Sequence, residues 1–370
     1  MPDQPHYDAG YAVCDGERLC CVVRSEDVGA HPELLAHGTW FVVATFEGRI
    51  TGWQFAHSAP DDGQSAPRER HAANWRGPTA ATWQSSMSRE RYRHAVEQVR
   101  ARIRVGEVYQ ANICRILSAP LGTDSEPNAA ALAEILAGGN PAPFASHIHV
   151  PAGLTGVDGD SIAPIWVVSA SPELYLSVSD GEIRSMPIKG TAADASGLSE
   201  KDRAENVMIT DLVRNDLQRV SVPGSIAVEP ILDIEQHPGL VHLVSTVRGT
   251  LARAEPDWAS IFAATFPPGS VSGAPKEAAL TIIRKLESAQ RGPYCGGLGI
   301  VRSHPGRSVL AVGIRSFWWE PGEEAGTLRF GTGAGITYDS DPESEWQETE
   351  LKAARLVALA SAHGDQEAAS

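Results

Sequence analysis

The sequence has no apolar run near the ~18 residues that suggest a membrane span. Its first ten residues, MPDQPHYDAG, are acidic, with no apolar stretch behind a basic start. Neither secretion nor membrane insertion is expected. Positive charge is in short supply: 31 Lys and Arg face 46 Asp and Glu, a formal net charge of −15. That balance argues against nucleic acid as a partner. An anionic ligand would need local arginines, helix N-termini or a metal to receive it. Cysteine is scarce and odd in number, with five at 14, 20, 21, 114 and 295 and none at CxxC-type metal spacing. Reduced cysteines used as small apolar residues in a cytoplasmic protein are the expectation. Internal repeats are lacking. So is a GxxxxGK[ST] phosphate loop: in FPPGSVSGAPK, Pro275 separates Ala274 from Lys276 and no hydroxyl residue follows.

What is present is an ordinary globular composition, 42% apolar and 21% charged over 370 residues. The length suits two domains or one large double-layered one. RLCCVVRS, TWFVVATFEG and RITGWQF read as strands, and 59–82 as a Pro/Ala/Gly-rich loop. A helix follows, capped by Ser88 and ended by Gly106, with Tyr92, Ala95, Val96, Val99 and Ile103 at helical spacing. EVYQANICRIL reads as a strand and 151–164 as a loop. ELYLSVSD and GEIRS form a hairpin about Asp180-Gly181. Helices are expected from Ser199 to 216, after Pro275, and from SDPESEWQETELKAARLVALA. HLVSTVRGTL, GGLGIVRS, SVLAVGIRSFWW and TLRFGTGAGIT read as strands. Strands come in adjacent pairs rather than in βαβ alternation, which predicts an α+β fold with antiparallel sheets.

Several residues could carry chemistry. Glu345, Glu348 and Lys352 share one face of the last helix, as a solvated ion-paired face or as carboxylates aimed at a divalent cation. Asp202 and Glu205 share a face of the 199–216 helix, and two such pairs would suit Mg²⁺. The small-residue turn at 268–275 presents free N–H groups to an anion, or simply caps a helix. Gly331, Gly333 and Gly335 allow close backbone approach, or mark a bulge. Arg315 is an edge residue or a carboxylate clamp, and His242 a core histidine or a catalyst. Glu173 begins the first hairpin strand. Lys189, between Ile188 and Gly190, is a solvated strand end or a partly desolvated nucleophilic amine.

The order of GEVYQANICR, SPELYL, PIKGT, KDRAENVMITDLVRNDLQRV, VHLVSTVRG, FPPGSVSGAPK, RGPYCGGLGIV and DSDPESEWQETELKA resembles the chorismate-utilising enzymes. That family includes anthranilate synthase and aminodeoxychorismate synthase component I, isochorismate synthase and salicylate synthase. The resemblance covers about residues 88–355. It implies a large α/β sandwich of mostly antiparallel sheets with helices outside, enclosing one active site. Residues 1–85 would be a divergent, shortened N-terminal part of the same fold, without a clear tryptophan site. Residues 86–360 would be the chorismate-binding catalytic domain and 361–370 a polar tail.

The same resemblance implies Mg²⁺ held by Glu205, Glu345 and Glu348, with Asp202 behind them or acting through water. The C1 carboxylate of chorismate would sit on the metal. The pyruvyl carboxylate would meet Arg315, Tyr294 and N–H groups near Gly333 and Gly335. Ser272 would touch substrate, Lys352 would hold the carboxylates, and His242 would lie near the ring. Lysine in PIKGT points to aminodeoxychorismate synthase component I rather than to anthranilate formation. Lys189 would attack C2 and Glu173 would protonate the departing C4 hydroxyl. The lysine base of the water-using members aligns with Ala111, which disfavours their products. Ammonia would come from a separate glutamine amidotransferase subunit. The alternatives are an anthranilate or 2-amino-2-deoxyisochorismate synthase, a non-catalytic chorismate-binding module, and an Mg²⁺-dependent phosphate enzyme.

Overall fold

A computed structural model describes residues 10–61, 72, 74–121, 126–192, 194–237, 240–323 and 325–361. Of the 59–82 loop, residues 62–71 and 73 lie outside them, as does all of the tail after 361. The described residues hold seventeen strands in one connected sheet and three in a second, with antiparallel pairing throughout. The fold is α+β, as the strand pairs predict. So many strands cannot stay flat, and a sheet of this size curls. The N-terminal strands are built into the large sheet: Thr39–Ala44 pairs with Gly297–Arg302, and Tyr11–Cys14 with Phe144–Val150.

Six α-helices are described: α1 (Arg89–Arg104), α2 (Ala129–Gly139), α3 (Glu200–Gln218), α4 (Trp258–Thr265), α5 (Lys276–Leu286) and α6 (Pro342–Ala360). Ser88 caps α1, accepting from the Arg91 N–H, and Gly106 follows its end at φ +81°. Ser199 and Asp202 form a capping box on α3. The sequence reading passed over α2 and α4. Both are mostly apolar with almost no charge, so they lack the polar half of a helical period.

The site rests on the strands Gln110–Leu121 and Gly326–Ile336, paired from Leu121↔Gly326 to Ala111↔Ile336. Alternation splits the first of these. Ala111 and Ile113 pack with Tyr92, Val96 and Val99 of α1 and Ala279 and Ile282 of α5. Gln110, Asn112 and Cys114 face the other way. HLVSTVRGTL is two strands rather than one: Leu240–Val244 belongs to the small sheet and Val247–Thr250 to the large one. The chain from the hairpin makes the same crossing at Pro187, whose carbonyl accepts from the Ser245 N–H at 3.3 Å. No helix among the described residues is long and apolar enough to cross a membrane.

Candidate active site

Lys189 does not end the hairpin. It lies on Ile188–Ala192, an outer strand of the three-stranded sheet, whose register against Leu240–Val244 slips between Ile188↔Val244 and Thr191↔His242. Lys189 and Gly190 fill that bulge, with Gly190 at φ +86°. A bulge bends its strand and re-aims a side chain. Here the amine is half-buried and its Nζ donates to the Ser270 carbonyl at 3.1 Å. Burial pushes the Lys189 pKa down, against the opposing pull of Glu205 and Glu173.

Glu173 is 4% exposed. Burial raises its carboxyl to about 7, although the Ser270 hydroxyl, Lys189 and the Ile188 N–H all favour the charged form. Behind it lies a cavity of about 20 Å³, lined in part by Ser185, Asp216 and Ser270. That is room for about one water. Ser270 thus holds the acid with its hydroxyl and the amine with its carbonyl. A much larger cavity, about 350 Å³ beside α2, is lined by none of the expected site residues, so size does not locate the chemistry.

The same Ser270 carbonyl accepts from Asn112 Nδ2 at 3.2 Å. Gln110 is fully buried, and among the described residues neither atom of its side-chain amide has a partner; Asn112 Oδ1 is likewise unpaired there. Unpaired buried amides are costly and are rarely kept without a ligand or water to meet them. Sequence reasoning missed both. It assigned the catalytic-base position to Ala111, and the structure corrects this. Ala111 lies in the apolar layer under α1 and α5, and the neighbour facing the site is Gln110. Only knowledge of which face is inward could have separated them, since one step along a strand changes faces. A neutral amide still supplies no base.

Cys114 N–H donates to Glu287 and Asn112 N–H to the Ser272 carbonyl, so both turn away from the partner strand. Gly333↔Cys114 and Gly335↔Asn112 are therefore non-hydrogen-bonded pairs, and both glycine N–H groups point to the strand's other edge. On that edge Lys352 Nζ donates to the Gly333 carbonyl at 3.2 Å. The space their missing Cβ atoms leave is filled by the protein itself. A Cβ at 333 would lie 2.4 Å from Cys114 Sγ, and one at 335 would lie 2.1 Å from Gln110 Nε2. Arg315 stands just before Ser316–Glu320, where pairing to Gly326–Ile336 stops. It is half-buried at φ +53°, burial pushes its pKa down, and its guanidinium has no hydrogen-bond or ion-pair partner among the described residues. Left-handed backbone at a non-glycine residue is strained, and strain concentrates at functional sites.

Tyr294 is buried with its ring over Gly331 and its hydroxyl 3.9 Å from Cys114 Sγ. Ser272 is fully buried and spends its hydroxyl on the Pro268 carbonyl at 3.1 Å, so it shapes the turn from within. His242 is buried, opposite Thr191 of the lysine strand and Glu235.

The carboxylates converge from two helices. Lys201 Nζ lies 3.8 Å from both Glu205 Oε1 on α3 and Glu345 Oε1 on α6. Burial raises both acids. Burial would also raise Glu348, but Lys352, 2.5 Å away, with Lys201 and Lys189 behind it, outweighs burial and holds that carboxyl low. Asp202 is engaged in the capping box, its Oδ2 accepting from the Ser199 N–H at 2.8 Å and hydroxyl at 2.6 Å. Among the described residues no three His, Cys, Asp or Glu are gathered closely enough to hold a metal. The donor set still fits Mg²⁺ in kind: oxygen ligands only, two of them already flanking a cation, where one or two carboxylates suffice beside waters and substrate.

The sequence profile of chorismate binding enzymes matches residues 53–358. The chain belongs to this family. Over 292 residues it is 36% identical to anthranilate synthase component 1 1 of Haloarcula marismortui, covering 75% of this chain and 55% of that one. Over 299 residues it is 36% identical to aminodeoxychorismate synthase component 1 of Klebsiella aerogenes, covering 76% and 61%. It thus spans little more than half of each relative's own length. In fold it is similar to the menaquinone-specific isochorismate synthase of Escherichia coli, at a TM-score of 0.72 and 19% identity over 95% of this chain and 88% of that one. It is likewise similar to anthranilate synthase component I of Streptococcus pneumoniae, at 0.67 and 23% over 94% and 80%.

Proposed function

We propose that this chorismate-family enzyme acts as an aminodeoxychorismate synthase component I, making 4-amino-4-deoxychorismate from chorismate and ammonia. The observation that carries the reading is the Lys189–Ser270–Glu173 arrangement: an amine pushed towards neutrality beside an acid that keeps its proton up to about 7. Neutral Lys189 attacks C2 of the ring. Glu173 gives its proton to the C4 hydroxyl, which leaves as water. Ammonia then adds at C4 and the Lys189 nitrogen is expelled from C2. Arg315, with the N–H groups of Gly333 and Gly335, would receive the pyruvyl carboxylate. His242 would lie near the ring. Glu205, Glu345 and Glu348 are the residues that would hold Mg²⁺, which when bound withdraws charge through the substrate's C1 carboxylate. The ammonia is expected from a glutamine amidotransferase partner in the cytoplasm.

Anthranilate formation is the second reading, because a relative of that name is as similar in sequence as the aminodeoxychorismate one. The test is incubation with chorismate, Mg²⁺ and ammonium followed by mass spectrometry. An amino-substituted chorismate that keeps its enolpyruvyl group is expected, with roughly 100-fold or greater loss in Lys189→Ala. Fluorescent anthranilate as the product would favour the second reading. Undiminished product in the variant would remove the covalent step.

A further inference from the structure

We infer that Lys201 is an internal competitor of the divalent cation, its ammonium standing between the carboxylates of α3 and α6 that the metal would join. This rests on the reading of Glu205, Glu345 and Glu348 as the metal-holding residues.

The three lysines near these acids differ in how they are held. Lys189 is tied to the Ser270 carbonyl, and Lys352 to Glu348 and the Gly333 carbonyl. Each has a neutral backbone carbonyl as an anchor in addition to any carboxylate. Lys201 has no such anchor among the described residues. Its contacts are two ion pairs, each at 3.8 Å and so beyond hydrogen-bond length, and half of its side chain is in solvent. It comes from the first turn of α3, one turn before Glu205, so its long stem can swing out without moving the helix. A charge held this way is replaceable. A doubly charged ion binding the same two oxygens must push the ammonium out, and its affinity is reduced by the attraction it has to break. The arrangement tempers the acidic pair when no metal is bound and yields to the stronger cation.

The test is calorimetric titration of Mg²⁺ into the full chain at fixed ionic strength, without substrate, for the wild type, Lys201→Gln, Lys201→Arg and Glu205→Gln. Lys201→Gln removes the charge at an exposed position and should bind Mg²⁺ about tenfold more tightly, the scale of two such contacts in partly screened surroundings. Lys201→Arg keeps the charge and should remain near wild type. Glu205→Gln should weaken binding and thereby show that the heat comes from this site. If the wild type binds Mg²⁺ through Glu205 and Lys201→Gln binds no tighter, the competition is refuted while the metal reading stands. If neither the wild type nor Lys201→Gln shows binding that Glu205→Gln weakens, the metal reading fails and takes the competition with it.

Discussion

Burial moves Glu173 up and Lys189 down, which favours the neutral acid beside a neutral amine that the proposed reaction needs. The pH–rate profile should therefore be a bell. Its acid limb falls as Lys189 gains a proton, and its alkaline limb falls as Glu173 loses one near 7, both as properties of the coupled pair. Glu173→Gln should lower kcat about 100-fold or more and erase the alkaline limb. The same burial has a stability consequence. The folded Glu173 pKa lies above its ordinary 4.5, so its contribution is fully present below about 4.5 and is lost as pH rises through about 7. At pH 8 the Gln variant should be more stable than the wild type by on the order of 3 kcal/mol, and near pH 4 the two should match. Urea unfolding at both pH values checks this. A variant no more stable at pH 8 would mean that Glu173 is not desolvated.

At the scale of elements, the bulge at Lys189–Gly190 is the device that turns a strand residue inward. Gly190 is needed there twice over: its φ is +86°, and a Cβ would lie 2.8 Å from Asp202 Cβ at the head of α3. Gly190→Ala should cost about 1–3 kcal/mol in urea unfolding. It should also depress amination more than it depresses chorismate binding, because it moves the amine rather than the carboxylate-binding groups. Wild-type turnover in this variant would show that the bulge does not aim Lys189. None of this was legible in PIKGT. The partner strand lies some fifty residues downstream, and the slip exists only once the two strands pair. By contrast, α1, α3 and α6 announced themselves through Ser88, Ser199 and the Asp341-Pro342 start, because caps are local chemistry. The acidic pairs could be read from helical spacing for the same reason. That α3 and α6 meet across Lys201 could not.

At the scale of the whole molecule, the family and the antiparallel fold were legible because ordered motifs span most of the chain. The parity that sets Gln110 and Asn112 inward was not. It depends on which layer covers which face of a strand paired along eleven residues, and that is a property of the assembled sheet. The nitrogen source is also a whole-molecule question. Glutamine hydrolysis needs an accessible, activated thiol beside a base. Cys14 and Cys114 are buried, and burial pushes both thiols up; it pushes Cys20 up as well, and the half-buried Cys21, at φ +62°, has its thiol hydrogen-bonded to that of Cys20. Cys295 is also buried, and the effect of burial is offset by a hydrogen bond from Cys114 and by Arg291, with no histidine among these influences. The chain should therefore aminate chorismate with ammonium and not with glutamine. Adding a glutamine amidotransferase that forms a complex with it should make glutamine a donor. Mass spectrometry with ¹⁵N-amide glutamine, with and without that partner, decides the matter. Labelled product from this chain alone would show an amidotransferase activity within it and remove the need for a partner.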